Sequence, residues 1–153
     1  MRKQCPQIEF MQGIPESFGE EGSSEPTLIV LDDQMPLLGK KPQVLSAFIR
    51  GSHHRNVSII CLVQNFYSKG LRDLTLQATH IIAFRPIRDS QWLHTLGRQM
   101  CGGRKNAVMD DMLKCINDIP YSYICINLDQ QSKFRYSTFL FPDDPNFTIF
   151  KPQ

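Results

Sequence analysis

An α/β fold built on parallel strands is what this sequence predicts, and three observations predict it. Short apolar runs rich in β-branched residues recur at 27–31 (TLIVL), 57–63 (VSIICLV) and 80–84 (HIIAF). Helix-compatible stretches separate them, so strand and helix alternate. Two more strand patterns, 121–127 and 134–141, flank a polar turn at 129–133 (DQQSK). Alternation of this kind implies parallel βαβ units in a sheet covered on both faces. The last pair implies an antiparallel hairpin at one edge.

Each element has its own reason. Residues 7–11 fit one short strand, and 11–26 (MQGIPESFGEEGSSEP) are rich in Gly, Pro, Ser and Glu, the composition of a flexible acidic linker. The chain then reads as three segments: 1–26 as N-terminal strand and linker, 27–142 as the folded domain and 143–153 as a tail. The unbroken run at 27–31 predicts a strand buried on both faces. A helix is expected over 43–50, with Val44, Leu45, Ala47, Phe48 and Ile49 apolar and Pro42 in the first turn. Residues 57–63 form the second buried strand, 71–78 a short helix and 80–84 the third strand. Ser90 stands where a cap would start a helix over 90–100, with Trp92, Leu93 and Leu96 on one face. Gly102 and Gly103 break it, and 106–116 restarts a helix.

The bulk properties narrow the class. Hydrophobic content of 41% and charged content of 21% are ordinary for a globular domain. No apolar run approaches the roughly 18 residues of a membrane span, and no apolar stretch follows Met1-Arg2-Lys3 as in a signal peptide. An intracellular protein without membrane contact is expected. Net charge is +2, but all five Glu lie before residue 27; from Thr27 onward 15 Lys and Arg face 10 Asp, a net +5. That suits a polyanionic partner, and equally an ordinary basic surface. The five cysteines form no CxxC pair; Cys61 and Cys125 sit in apolar runs, as buried reduced thiols do. His94, Cys101 and Cys115 match no common zinc spacing, so structural roles are the expectation for them.

The chemistry gathers at strand ends. The strand at 28–31 runs straight into Asp32-Asp33. Ligands of open α/β sheets bind outside the carboxyl ends of strands, where a cation relieves the repulsion between neighbouring carboxylates. Four apolar residues and two acids have the form of a Walker B motif: one Asp holds Mg²⁺ and the next acid polarises the attacking water. An Asp-rich turn after an ordinary strand has the same letters. The next strand ends in Gln64-Asn65, amides that can donate to a phosphate oxygen or orient water without changing charge. Arg55 and Arg72 flank that strand and are candidates for an arginine finger. Solvated helix ends and a surface turn are the plain readings for the arginines and for His53-His54.

Taken together, TLIVLDDQM, GSHHRNVSIICLVQNFYSKGLRDLTLQATHIIAFRPIRDSQWLHTLGRQM, IPYSYICINL and FRYSTFLFP resemble the packaging ATPases of large and mid-sized DNA viruses. These include the poxvirus packaging ATPase and its relatives in adintoviruses and Polinton-type elements, within the FtsK–HerA group of P-loop motors. The resemblance covers about residues 7–142, with IEFMQGIPE similar to the strand and loop before Walker B. It implies an ASCE-type P-loop sheet and a homo-oligomeric ring that hydrolyses ATP to drive double-stranded DNA into a capsid. It also implies Asp32 as the Mg²⁺-site aspartate, Asp33 as catalytic acid, Gln64 as sensor amide and Arg55 or Arg72 as the trans-acting arginine. Lys40 and Lys41 would face DNA.

One departure is large: no GxxxxGK[ST] occurs in the 153 residues. In the family that loop lies upstream of the position where this sequence starts. Without it there is no backbone cradle for the phosphates, no Lys for the β and γ oxygens and no Ser or Thr on Mg²⁺. The family also places the P-loop strand between the sensor strand and the next one, here 57–63 and 80–84. The resemblance therefore implies a sheet missing its central strand, inactive alone and open to a chain that supplies the segment. Two other readings stand beside it. One is a non-catalytic remnant or interaction module of the same ancestry. The other is a receiver domain, suggested by Asp32-Asp-Gln-Met-Pro36; it lacks the earlier acidic pair, and Gln64 and Arg85 stand where a receiver has a hydroxyl and a Lys.

Overall fold

The computed structural model describes residues 8–15, 18, 25–34, 38, 42–54, 56–68, 71–84, 91–100, 107–129, 131–140, 143–145 and 147–151. The chain divides into two compact units, 1–77 and 78–153. No helix among the described residues is long and apolar enough to cross a membrane.

The first unit is a βαβ arrangement. Strand β1 (Thr27–Leu31) leads to helix α1 (Pro42–His54), strand β2 (Val57–Cys61) and the short helix α2 (Arg72–Gln77). Pro42 occupies the first helical position, where its missing N–H costs nothing. Asn56 returns the chain into β2 at φ 49°, a left-handed conformation that Asn tolerates better than most residues. β1 and β2 pair in parallel, Thr27 opposite Val57 through Leu31 opposite Cys61. At the start of the ladder Thr27 N–H donates to the Asn56 carbonyl, and beyond its end Leu62 N–H donates to the Leu31 carbonyl, both at 3.0 Å.

One face of this pair is covered. Leu31, Val44, Ala47, Leu71 and Leu74 form a buried cluster with Ile14, Phe18 and Leu38; Ile29, Ile59 and Cys61 pack against it. The opposite face is bare: Leu28 is 61% exposed, Val30 52%, Ile60 46% and Leu62 45%. Here the structure departs from the expectation of burial on both faces. Burying each of these side chains from about half exposure would gain roughly 1 kcal/mol, so the bare face leaves several kcal/mol unrealised. The segment expected as linker also departs, because Ile14 and Phe18 belong to the core. Among residues 8–11, the described part of the expected first strand, none is in a strand.

The second unit carries an antiparallel sheet in the order β3-β4-β5-β6. Its strands are His80–Phe84, Tyr123–Asn127, Tyr136–Thr138 and Thr148–Phe150, with helices α3 (Gln91–Met100) and α4 (Ala107–Ile116) between β3 and β4. The expected hairpin is β4 with β5. β3 was expected to continue a parallel sheet; it runs antiparallel to β4 instead. The register explains why, since it sets Ile81 against Ile126 and Ala83 against Ile124, all four buried. α4 lies on β4 and β5 and contributes the fully buried Met109, Met112 and Ile116. Ser122 Oγ closes its C-terminus by donating to the Ile116 carbonyl at 2.8 Å. On the other face the rings of Phe84, Tyr123 and Phe139 meet at 5.6 and 5.1 Å. β6, in the segment expected as tail, had no counterpart in the sequence reading.

Candidate functional site at the tip of the parallel pair

Parallel pairing fixes where the candidate residues go. The carboxyl ends of β1 and β2 lie side by side, with Leu31 opposite Cys61. Asp32 and Asp33 follow the first strand directly, and Gln64 follows the second by three residues. Acids and amide therefore leave the same end of two neighbouring strands. This is the end at which α/β sheets present ligand-binding groups.

Local geometry at the tip is specific. Asp33 has φ 52°, so the chain turns sharply as it leaves β1. Gln34 Nε2 donates to the Asp32 backbone carbonyl at 3.1 Å and braces that turn. Asp32 and Asp33 are exposed. Water screens their mutual repulsion, so the pair persists without a cation. Their oxygens are hard donors of the kind Mg²⁺ takes, usually with one or two carboxylates and its remaining sites filled by water and phosphate. The donor set thus fits one side of a Mg²⁺ site.

Beyond β2 the two amides divide their work. Asn65 Oδ1 accepts the Tyr67 N–H at 3.0 Å, so Asn65 is committed to shaping its own loop. The backbone continues the turn, with Ser68 N–H donating to the Asn65 carbonyl at 3.3 Å and Leu71 N–H to the Ser68 carbonyl at 3.1 Å. Gln64 is exposed and directly precedes this loop. Phe66 and Tyr67 add an edge-to-face ring pair with centroids 5.3 Å apart. The sequence reading passed over this pair, and the aromatic doublet directly after Gln64-Asn65 was the available signal.

Arg72 is the first residue of α2; its carbonyl accepts from Thr75 Oγ1 at 2.8 Å. Arg55, Lys40 and Lys41 lie outside the described residues. His53 and His54 are the last residues of α1. Of the three residues weighed for zinc, His94 pairs with Asp110 at 3.2 Å and Cys115 is exposed on α4; Cys101 lies outside the described residues. Among the described residues no group of three metal-ligating side chains gathers.

Fold and tip together define a mixed α/β protein with an acidic and amide-bearing end on a parallel strand pair. Comparison with protein families, with curated proteins and with solved structures finds no match to this chain.

Proposed function

We propose that this chain is the Walker B and sensor half of a viral-type double-stranded DNA packaging motor of the P-loop class. In this reading it hydrolyses ATP only where a phosphate-binding strand and loop complete the sheet. The observation that carries the proposal is the parallel adjacency of β1 and β2, which brings Asp32-Asp33 and Gln64 to one end of one sheet. A second observation supports it: β2 and β3 belong to different sheets, and among the described residues neither has a strand on its other edge. A donated strand would have a seat beside β2.

The roles follow from the chemistry of the side chains. Asp32 would hold Mg²⁺, which neutralises phosphate charge when bound. Asp33 would take a proton from the attacking water, and Gln64 would orient that water by donating and accepting at once. Arg55 or Arg72 would reach the phosphates of a neighbouring subunit in a ring, and Lys40 and Lys41 would meet DNA phosphates. The full reading requires Mg²⁺, ATP, a homo-oligomeric ring and double-stranded DNA.

The test is to co-purify the chain with a polypeptide bearing a GxxxxGK[ST] strand and loop, then measure Mg²⁺-dependent ATP hydrolysis with and without DNA. Turnover in the complex is expected, abolished by Asp33→Ala with Mg-nucleotide binding retained. Unchanged turnover in Asp33→Ala would remove the role given to that residue. A second reading is a non-catalytic interaction module of the same ancestry. It expects the complex to form and hydrolyse nothing.

A further inference from the structure

Strand register sorts the side chains of the antiparallel sheet onto two faces, because residues opposite each other in a ladder share a face. Toward α4 lie Ile81, Ala83, Ile124, Ile126, Tyr136 and Thr138, all buried. The opposite face carries three rows across the strands. His80 stands opposite Asn127, and Asn127 N–H donates to the Arg135 carbonyl at 2.9 Å. Carrying the β5–β6 register one residue further sets Lys151 opposite Arg135, so the first row holds three basic side chains and one amide. The second row is Ile82, Cys125, Ser137 and Ile149. The third is the ring group of Phe84, Tyr123 and Phe139. Exposure follows the rows. His80 and Lys151 are exposed and Arg135 half-buried at one end, and Phe84 is 62% exposed at the other. Between them Cys125 and Ser137 are buried, flanked by the more open Ile82 and Ile149. Among the described residues the strands of this sheet contain no acid; Asp129, in the turn beyond β4, accepts the Gln131 N–H.

We propose that this face binds single-stranded DNA, with a base stacked on Phe84 and backbone phosphates on the row of His80, Arg135 and Lys151. Charge and rings together select the occupant. A basic row without acids suits a polyanion, and an outward aromatic ring, held by its neighbour Tyr123 at 5.6 Å, suits a flat partner. The two rows are four residues apart, about 13 Å, which separates the phosphate of one nucleotide from the base of a neighbour. A duplex keeps its base faces inside the stack, so the ring can serve only an unpaired strand. Between the rows a sugar meets Ile82 and Ile149, and that row exposes no polar side chain to a 2′-hydroxyl. DNA is therefore the strand that fits, since RNA is told apart through that hydroxyl. The bare face of β1 and β2 offers no comparable choice, because its exposed side chains Leu28, Val30, Ile60 and Leu62 are all apolar. This inference stands apart from the motor reading, which takes a duplex and assigns its DNA contacts to Lys40 and Lys41.

Fluorescence anisotropy of a labelled oligothymidylate of about ten nucleotides, titrated with the full chain at low salt, tests it. Binding in the micromolar range is expected, with a duplex of the same length and the matching oligouridylate both weaker. Phe84→Ala should raise Kd about 10-fold, while Phe84→Tyr keeps the stacking surface and the affinity. Lys151→Gln should lower the slope of log Kd against log salt by about 0.7, the share of one phosphate contact on a single strand. Leu28→Ala, on the bare face of the other unit, should leave Kd unchanged. Absence of binding by the wild type, equal or tighter binding of duplex or RNA, or an unchanged Kd in Phe84→Ala would each overturn the proposal. Should Phe84→Ala lose its circular dichroism signal, Lys151→Glu decides. That residue is exposed and lies beyond the end of β6, so the sheet does not depend on it. Undiminished affinity in that variant overturns the proposal equally.

Discussion

Asp33 holds a left-handed backbone at the exposed end of β1, where a glycine would sit without strain. A β-branched residue there meets its own carbonyl and costs about 1–2 kcal/mol. Glycine removes that strain but adds freedom to the unfolded chain worth about 0.5–1 kcal/mol, so the two effects nearly cancel. Asp33→Gly is therefore expected to leave urea stability within about 0.5 kcal/mol, while Asp33→Val lowers it by about 1–2 kcal/mol. Equal, large losses in both variants would show that the carboxylate itself holds the turn. The acid pair was legible in the sequence because an apolar run ended on it. Its left-handed turn and its exposure were not, since both depend on what the rest of the chain places around the strand end. Asn65 makes the same point: its letter suggested a second ligand amide, and only the fold shows its oxygen occupied by Tyr67 N–H.

The strands also enclose thiols, and these report on packing element by element. Burial pushes the Cys61 thiol in β2 up to about 11. Burial raises Cys125 in β4 as well, against a smaller lowering by its hydrogen bond with Ser137. The folded chain keeps the Cys61 proton after the unfolded chain has lost it. The associated stability is whole below pH 9.0 and falls as pH rises toward about 11. At pH 8 a thiol reagent is expected to label the exposed Cys115 rapidly, with Cys61 and Cys125 labelled only on unfolding; Cys61 reacting as fast as Cys115 would contradict the packing of β2. Strand positions were the most legible part of the fold, because apolar β-branched runs at 27–31 and 80–84 match β1 and β3 residue for residue. α1 extends past its expected end, since Gly51, Ser52, His53 and His54 give no apolar period to follow. Three-residue β6 is too short to show a period. Ile14 and Phe18 read as linker because isolated apolar residues among Gly, Pro and Glu carry no pattern, yet two buried side chains suffice to anchor the segment.

At the scale of the molecule, the sequence showed where β1 to β5 lie better than it showed which of them pair. The β1–β2 pairing follows from a short crossover through one helix, a local rule. The choice of β4 as partner for β3 rests on matching buried residues more than forty positions apart, which no window along the chain reveals. The outcome is two sheets, each with an outer strand whose backbone is unpaired on one side among the described residues. Isolated in solution, the chain is expected not to melt as a cooperative monomer; thermal unfolding followed with light scattering should show associated species before or during the transition. One sharp, reversible and strictly monomeric transition would contradict that.

The two hydrogen bonds bracketing the β1–β2 ladder bear on how this chain tolerates change in length. One residue added within either strand would slide its tip by about 3.3 Å, a full rung, and turn every later side chain to the other face. The carboxylates and the amide would then no longer end level with each other. Extra residues in the crossover before α1 leave both strands in step. Indels in this protein's descendants should therefore gather between the buried Leu38 and α1, and spare the strands on either side.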